Sequence, residues 1–257
     1  MIITTAGRTN EEIKEKAKKI AEQLGAEYIS RNKRSVRMIQ KQVPEDCIVV
    51  GKERLELFPI GESQPFFFHP SSAMFRVKRL LKGEGDPFLQ AAGLKEGSSI
   101  LDCTLGLASD SITASYAAGS KGKVTGLEGN KYLSFLVANG LRQWDSGLES
   151  MNQAMRRIKV ESSMALPYLK KLPTDSYDVV YFDPMFEEKI LESEGIKALR
   201  NFAVYEDLSE EVIFHAKRAA RQRVVLKDHF RSSRFARYGF KVIERKSSKF
   251  HFGVIEK

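Results

Sequence analysis

Cysteine, histidine and tryptophan are scarce in this chain of 257 residues, numbering two, four and one. Cys47 and Cys103 are too few for a disulfide scaffold or a four-cysteine zinc site, which suits a reducing, cytoplasmic setting. His69, His215, His229 and His251 share no metal-ligand spacing, so no metal site is expected. No apolar stretch approaches the roughly 20 residues that span a bilayer. Met1-Ile2-Ile3-Thr4 also lacks the charged and apolar regions of a signal peptide. Repeats and low-complexity segments are missing as well. What is present is the balance of a globular protein, 42% hydrophobic and 29% charged. The length allows one large domain, or a domain of about 150–200 residues with a smaller one. The 42 Lys and Arg against 33 Asp and Glu leave +9, a charge that suits a polyanionic partner but also serves solubility.

The hydrophobic period divides the chain. Ile13, Ala17, Ile20 and Leu24 recur on one helical face, behind a Thr9–Glu12 capping box and ahead of Gly25. Strand-like runs follow at 26–29, 47–50 and 54–58, and the last two can pair as a hairpin. Residues 1–65 therefore read as a small N-terminal α+β unit. A helix capped by Ser71 or Ser72, and another opened by Asp86-Pro87, form a helical lead-in over 66–97 to a larger domain, 66–257. From Ser98 onward, apolar strands near 100–101, 124–127, 158–160, 179–182 and 224–226 alternate with helix-length segments. That alternation predicts an α/β fold with a parallel sheet covered on both faces. The runs at 241–244 and 250–255 lie too close together for a crossover, so they should pair antiparallel.

Two loops carry candidate chemistry. Leu101 to Asp110 runs from a strand into a helix, with Asp102 at the strand end and Gly106 in the loop. Small residues there let a ligand approach the backbone, and the helix start offers free N–H groups. Glu128 ends the next strand about twenty residues after Gly106, where a carboxylate accepts hydrogen bonds from two ribose hydroxyls. A single glycine does not satisfy the dinucleotide pattern G-x-G-x-x-G. An adenosine ligand without phosphates, such as S-adenosylmethionine (SAM), therefore fits better than NAD. The plainer alternative makes Gly106 a tight turn and Glu128 a surface carboxylate.

The second loop is Asp183-Pro184-Met185-Phe186, delivered at the carboxyl end of a buried strand, the edge where open α/β sheets bind ligands. An exocyclic base amine is a poor nucleophile because its lone pair is delocalised into the ring. Asp183 and the Pro184 carbonyl can draw the amine hydrogens away, Pro184 stiffens the loop, and Phe186 offers a face for an extruded base. Methyl transfer to such an amine depends on positioning and electrostatics and requires no metal. Asp-Pro after a strand is also a frequent turn initiator.

In this order the motifs resemble the class I SAM-dependent methyltransferases. The closer resemblance is to the bacterial small-subunit (16S) ribosomal RNA guanine-N2 methyltransferases that carry Asp-Pro-Met-Phe. It rests on Leu101 to Asp110, Leu127-Glu128-Gly129-Asn130, Glu161-Ser162-Ser163, Val179 to Phe186, Arg223 to Lys227 and Lys249-Phe250. It implies a Rossmann-like sheet, mostly parallel with an antiparallel C-terminal strand, and SAM as cofactor. It further implies that Ser109 and Asp110 contact SAM, that Glu128 with Gly129 holds the ribose, and that Ser162 and Ser163 flank the adenine. Asp183 would then lie between cofactor and target amine. The implied substrate is guanine N2 in 16S rRNA or a small-subunit ribosomal particle. Adenine-N6 methylation, and a basic α/β RNA-binding protein without catalysis, stay open beside it. Ala108 stands where the family has a second glycine and Ser109 where it has arginine, and Glu187-Glu188 replace a Pro and a basic residue. Ser162-Ser163 also reads as a helix cap.

Basic residues cluster at Arg31 to Arg37, Arg76 to Lys82 and Lys217 to Arg237; as a set they can track an RNA backbone. Lys227, at a strand end, is expected to contact a phosphate or the substrate base, or else to pair with Asp228 or another carboxylate. Trp144 and Phe66-Phe67-Phe68 read as packing residues.

Overall fold

The computed structural model describes residues 1–62, 64–184, 208–246 and 248–257. Among these the chain forms two compact units, one of Met1–His69 with Arg142–Trp144, the other of Pro70–Leu141 with the rest of the chain from Asp145.

The first unit comprises β1 (Ile2–Thr5), α1 (Glu11–Leu24), β2 (Glu27–Tyr28), α2 (Val36–Gln42), β3 (Cys47–Val50) and β4 (Leu55–Phe58). Its sheet runs β2-β1-β3-β4. β1 is parallel to both β2 and β3, and β3–β4 is the expected antiparallel hairpin. Ala17, Ile20, Ala21 and Leu24 bury one face of α1. The cap of α1 differs from expectation: the Asn10 side chain accepts the Ile13 N–H at 2.9 Å, while the Thr9 hydroxyl donates to the Asn10 carbonyl. Gly25, at φ 56°, ends the helix in the left-handed region. Trp144 packs edge-on against Phe68 and His69, with centroids 6.3 and 4.8 Å away.

The second unit opens with α3 (Ser71–Leu81) and α4 (Pro87–Ala92). Asp86 caps α4 as anticipated, accepting from Phe88 and Leu89 N–H, whereas α3 starts without a side-chain cap. There follow β5 (Ser99–Asp102), α5 (Ser109–Ala118), β6 (Lys123–Glu128), α6 (Lys131–Gln143), α7 (Glu149–Arg157), β7 (Lys159–Ser162), α8 (Ala165–Lys171) and β8 (Tyr177–Phe182). After these come α9 (Glu210–Ala219), β9 (Ala220–His229), α10 (Arg234–Tyr238), β10 (Lys241–Ile243) and β11 (Phe250–Glu256). The sheet order is β10-β11-β9-β8-β5-β6-β7. β5 to β9 are parallel, and β11 runs antiparallel to both β9 and β10. This is the mostly parallel sheet with an antiparallel C-terminal strand that the sequence predicts. Leu101, Val180 and Leu226 on its strands share one core with Val212, Ile213 and Ala216 of α9. No described helix is long and apolar enough to cross a membrane.

Asp178 pins the sheet at its amino-terminal end. Its carboxylate accepts from Ser99 N–H and Oγ (both 2.8 Å) and from Arg221 (2.5 Å), so one residue of β8 ties β5 and β9 to itself. Register fixed there sets where the other ends of these strands emerge, and with them the candidate site residues Asp102, Asp183 and Lys227.

Candidate active site

β7, β6, β5, β8 and β9 end side by side, and their ends present Ser162, Glu128, Asp102, Asp183 and Lys227 along one edge. β5 leads through α5 to β6 on one side, while β8 and β9 lie on the other. The topological switch point therefore falls between β5 and β8, where open α/β sheets take their ligands. Asp102 and Asp183 flank it.

The first loop is shaped by two residues of left-handed backbone, Gly106 (φ 48°) and Ala108 (φ 61°). Leu105 N–H bonds to the Leu127 carbonyl at 2.9 Å, and Ala108 N–H returns to Leu105 at 2.7 Å, so the loop doubles back over β6 before α5 begins. Gly126 makes room for it, since a Cβ there would lie 2.3 Å from Leu105 Cδ1. Asp102 is buried and accepts from Thr104 N–H (3.0 Å) and Ser111 Oγ (2.7 Å). Burial outweighs these bonds and, with Asp110 nearby, pushes its pKa up to about 7. Ser109 Oγ is buried yet has no hydrogen-bond partner among the described residues. A buried hydroxyl without a partner costs free energy unless a ligand supplies one.

Glu128 is nearly buried at the end of β6. Burial lifts its pKa, opposed by the N–H groups of Asn130 (3.0 Å), Gly106 and Gly129. Ser162 is paired opposite Glu128 in the sheet, and Ser163 N–H donates to the Glu128 carbonyl at 3.1 Å. The Ser163 hydroxyl donates to the Met164 carbonyl at 3.0 Å, and α8 starts without a side-chain cap, so the cap reading of the serine pair does not hold.

A chain of charges joins the two loops. Lys227 Nζ donates to Asp183 at 2.6 Å and lies 3.6 Å from Asp110. Asp110 also accepts from Arg76 (2.5 Å) and from the Tyr181 hydroxyl (2.9 Å). Arg76, in turn, makes two bonds to Asp86 at 2.8 and 2.9 Å. Burial would raise the Asp110 pKa, but Lys227 and Arg76 override it and hold the carboxyl below its ordinary value. For Asp183 burial prevails: despite the attraction of Lys227, and with repulsion from Asp110, its pKa rises to about 6. Lys227 keeps its proton, because Asp183 and Asp110 outweigh the burial that would strip it. The Asp183 N–H donates to Thr104 Oγ1 at 2.6 Å, which fastens the second loop to the first.

Asp102, Gly106, Ser109, Asp110, Glu128, Gly129, Ser162, Ser163, Asp183, Pro184 and Lys227 therefore all sit at or beside one edge of one sheet. Phe186, with Met185 and Glu187-Glu188, lies outside the described residues. Of the two alternatives for Lys227, the pairing is what the structure contains, with Asp183 and Asp110 rather than Asp228. Three participants were given no site role by the sequence: Thr104, Tyr181 and Arg76. Arg76 was expected on a basic surface, but it is largely buried and ion-paired. Arg218, Arg221 and Arg234 of the third basic cluster are likewise engaged with carbonyls or carboxylates of this chain.

A sequence profile described as "Putative SAM-dependent methyltransferase" matches residues 32–252. Protein YpiP of Bacillus subtilis (strain 168), described as uncharacterised, is 49% identical over 255 residues, 99% of each chain. A protein named ribosomal RNA small subunit methyltransferase J, from Tolumonas auensis, is 31% identical over 232 residues, covering 85% of this chain and 91% of its own. Among solved structures, the SAM-dependent methyltransferase NGO1261 of Neisseria gonorrhoeae aligns over 100% of this chain and 96% of its own. Its identity is 19% and its TM-score 0.67, a likeness of fold.

Proposed function

Because the chain belongs to the SAM-dependent methyltransferases, we propose that it methylates an exocyclic amine of an RNA base, guanine N2 in small-subunit ribosomal RNA. The observation that carries this reading is Asp183, an acceptor at the end of β8, held by Lys227 and fastened through Thr104 to the loop after β5. The RNA substrate follows from the ribosomal RNA methyltransferase relatives and from the Asp-Pro-Met-Phe sequence.

The residues suit SAM. Glu128 with Gly129 would take the ribose, and Ser162 and Ser163 the adenine. Asp102, Gly106 and the unpartnered Ser109 hydroxyl would receive the amino-acid portion. Both Asp110 oxygens are engaged by Arg76, Tyr181 and Lys227. Asp110 would therefore act through Lys227 and through its main chain at the start of α5. When bound, SAM supplies a methyl group on a sulfonium, already activated for attack by nitrogen.

The chain's own task is to make a poor nucleophile adequate. Asp183 and the Pro184 carbonyl accept the amine hydrogens, so the nitrogen lone pair is released from the ring. Asp183 then takes the proton the amine loses, and a pKa of about 6 suits a group that must be ionised at neutral pH and still accept a proton. Lys227 keeps the carboxylate turned toward the edge.

Asp183→Asn keeps the shape and removes the base. Methyl transfer should fall by at least about a hundredfold, while calorimetric SAM affinity stays within about tenfold. Nucleoside mass spectrometry of RNA from a deletion strain should show one N2-methylguanosine missing. A missing N6-methyladenosine would identify the other amine, and an unchanged nucleoside profile would refute the RNA reading.

A further inference from the structure

The turn that follows β9 holds an aromatic ring out in solvent. Phe230 is 43% exposed, although its backbone is firmly set. Its N–H donates to the Lys249 carbonyl at 3.1 Å. Just before it, the buried carboxylate of Asp228 accepts from His229 N–H (2.7 Å), Ser232 Oγ (2.6 Å) and Arg234 (3.1 Å), bracing the whole turn. The exposure of Phe230 is therefore built in and does not arise from a loose loop.

The surroundings of that ring say what it fits. His229 stands 4.6 Å from it and His251 6.1 Å, centroid to centroid, and the Arg231 guanidinium lies 5.0 Å over its face. Across the strand pair, Phe250 lies opposite His229 and carries Arg245 at 4.6 Å and Lys227 Nζ at 4.8 Å. Lys227 is the residue bonded to Asp183, so aromatic rings and cations continue outward from the acceptor carboxylate. Residues 229–234 and 248–251 contain no acidic side chain, and besides Arg234, which is paired with the buried Asp228, they hold the cations Arg231 and Lys249. An apolar protein partner would not need this density of positive charge. A base has a π face for the ring and brings a phosphate for the cations.

We propose that Phe230 and Arg231 form a stacking site for an unpaired nucleotide flanking the methylated base, with Arg245 and Lys249 neutralising its phosphates. Three residues of strand span about 10 Å, which puts Phe230 within reach of a neighbour of a base presented beside Lys227. The site rests on the RNA reading above and adds that the flank is single-stranded.

The test uses the full chain with saturating SAM and fluorescently labelled RNA, one oligonucleotide single-stranded and one fully duplex. Phe230→Ala should weaken single-stranded binding about tenfold and leave SAM affinity and melting temperature unchanged, which excludes misfolding. Phe230→Trp should retain binding and show fluorescence quenching by RNA beyond that of Trp144 in the parent. Lys249→Ala, which removes a phosphate contact, should reduce the salt slope of binding by about one. If wild type binds and methylates RNA and Phe230→Ala binds it equally well, the stacking site is refuted while the RNA reading stands. If wild type neither binds nor methylates RNA, both fall. A Phe230→Ala defect confined to ribosomal protein, with naked RNA bound normally, would reassign the surface to a protein partner and overturn the proposal.

Discussion

Replacing Lys227 with Met removes one charge from the site and preserves nearly the same volume. In the parent, Asp183 has a pKa of about 6, so about nine-tenths of it is ionised at pH 7. A unit charge pair about 4 Å apart contributes about 4 kcal/mol at an effective dielectric of about 20, equivalent to about three pH units. The Asp183 side chain is 26% exposed, and water screens part of that attraction; against this, Asp110 also loses its cation and repels Asp183 more. We take a net upward movement of about two pH units. Asp183 would then titrate near about pH 8 and be about one-tenth ionised at pH 7. The assay is kcat/KM for methyl incorporation from labelled SAM between pH 5.5 and about 9 at constant ionic strength, plotted as the ratio of variant to parent. The ratio cancels ionisation of the RNA itself. It should be about one-tenth at pH 7 and climb toward a plateau near pH 9, while the parent's own limb lies near pH 6. A ratio flat with pH would refute the assigned role of Lys227, because lost packing cannot be restored by titration.

Glu128→Ala should weaken SAM about 30-fold or more, the loss of two charge-assisted hydrogen bonds, read by calorimetry; an unchanged dissociation constant removes Glu128 from the ribose. Arg76→Met leaves Asp86 and Asp110 buried without their shared cation and should destabilise the fold by about 3–5 kcal/mol in urea titration. An effect under about 1 kcal/mol would show that the pair is dispensable. Asp102 has a folded pKa raised to about 7 from 3.8, so the fold binds its proton more tightly than the unfolded chain does. Its contribution is present at acid pH and is lost as pH rises from about 4 through 7. Asp102→Asn should consequently narrow the melting-temperature difference between pH 5 and pH 8, and an equal difference in both proteins would refute the raised pKa.

Much of the second unit is legible in the sequence, because strands buried on both faces appear as short apolar runs. Such runs at β5, β6, β8 and β9 place Asp102, Glu128, Asp183 and Lys227 at strand ends before any coordinate is known. β1 escaped because Ile-Ile-Thr-Thr is a four-residue strand buried throughout, with neither alternation nor apolar purity. α2 escaped because its seven residues bury only Val36 and Ile39. The contributors missed at the site are partners across long sequence separations. Arg76 sits beside Lys78, Arg79 and Lys82 and looks like part of a solvated face, yet Asp110 is 34 residues away in the chain. Tyr181 lies inside an apolar run and looks like filler, while its hydroxyl bonds to Asp110. Periodicity reports which face a residue occupies and is blind to which distant carboxylate waits there.

Ala108 has a consequence for timing. A glycine in its place would populate both hands of backbone, and the loop after β5 would sample many shapes until a ligand selected one. Alanine in the left-handed region costs about 1–2 kcal/mol, and here that cost falls on folding, since the residue is fully buried at the start of α5. Less freedom then remains to be lost when SAM arrives. With SAM bound as proposed, association at this edge would be docking into a finished cradle. The variant Ala108→Gly would shift the same ordering cost onto every binding event.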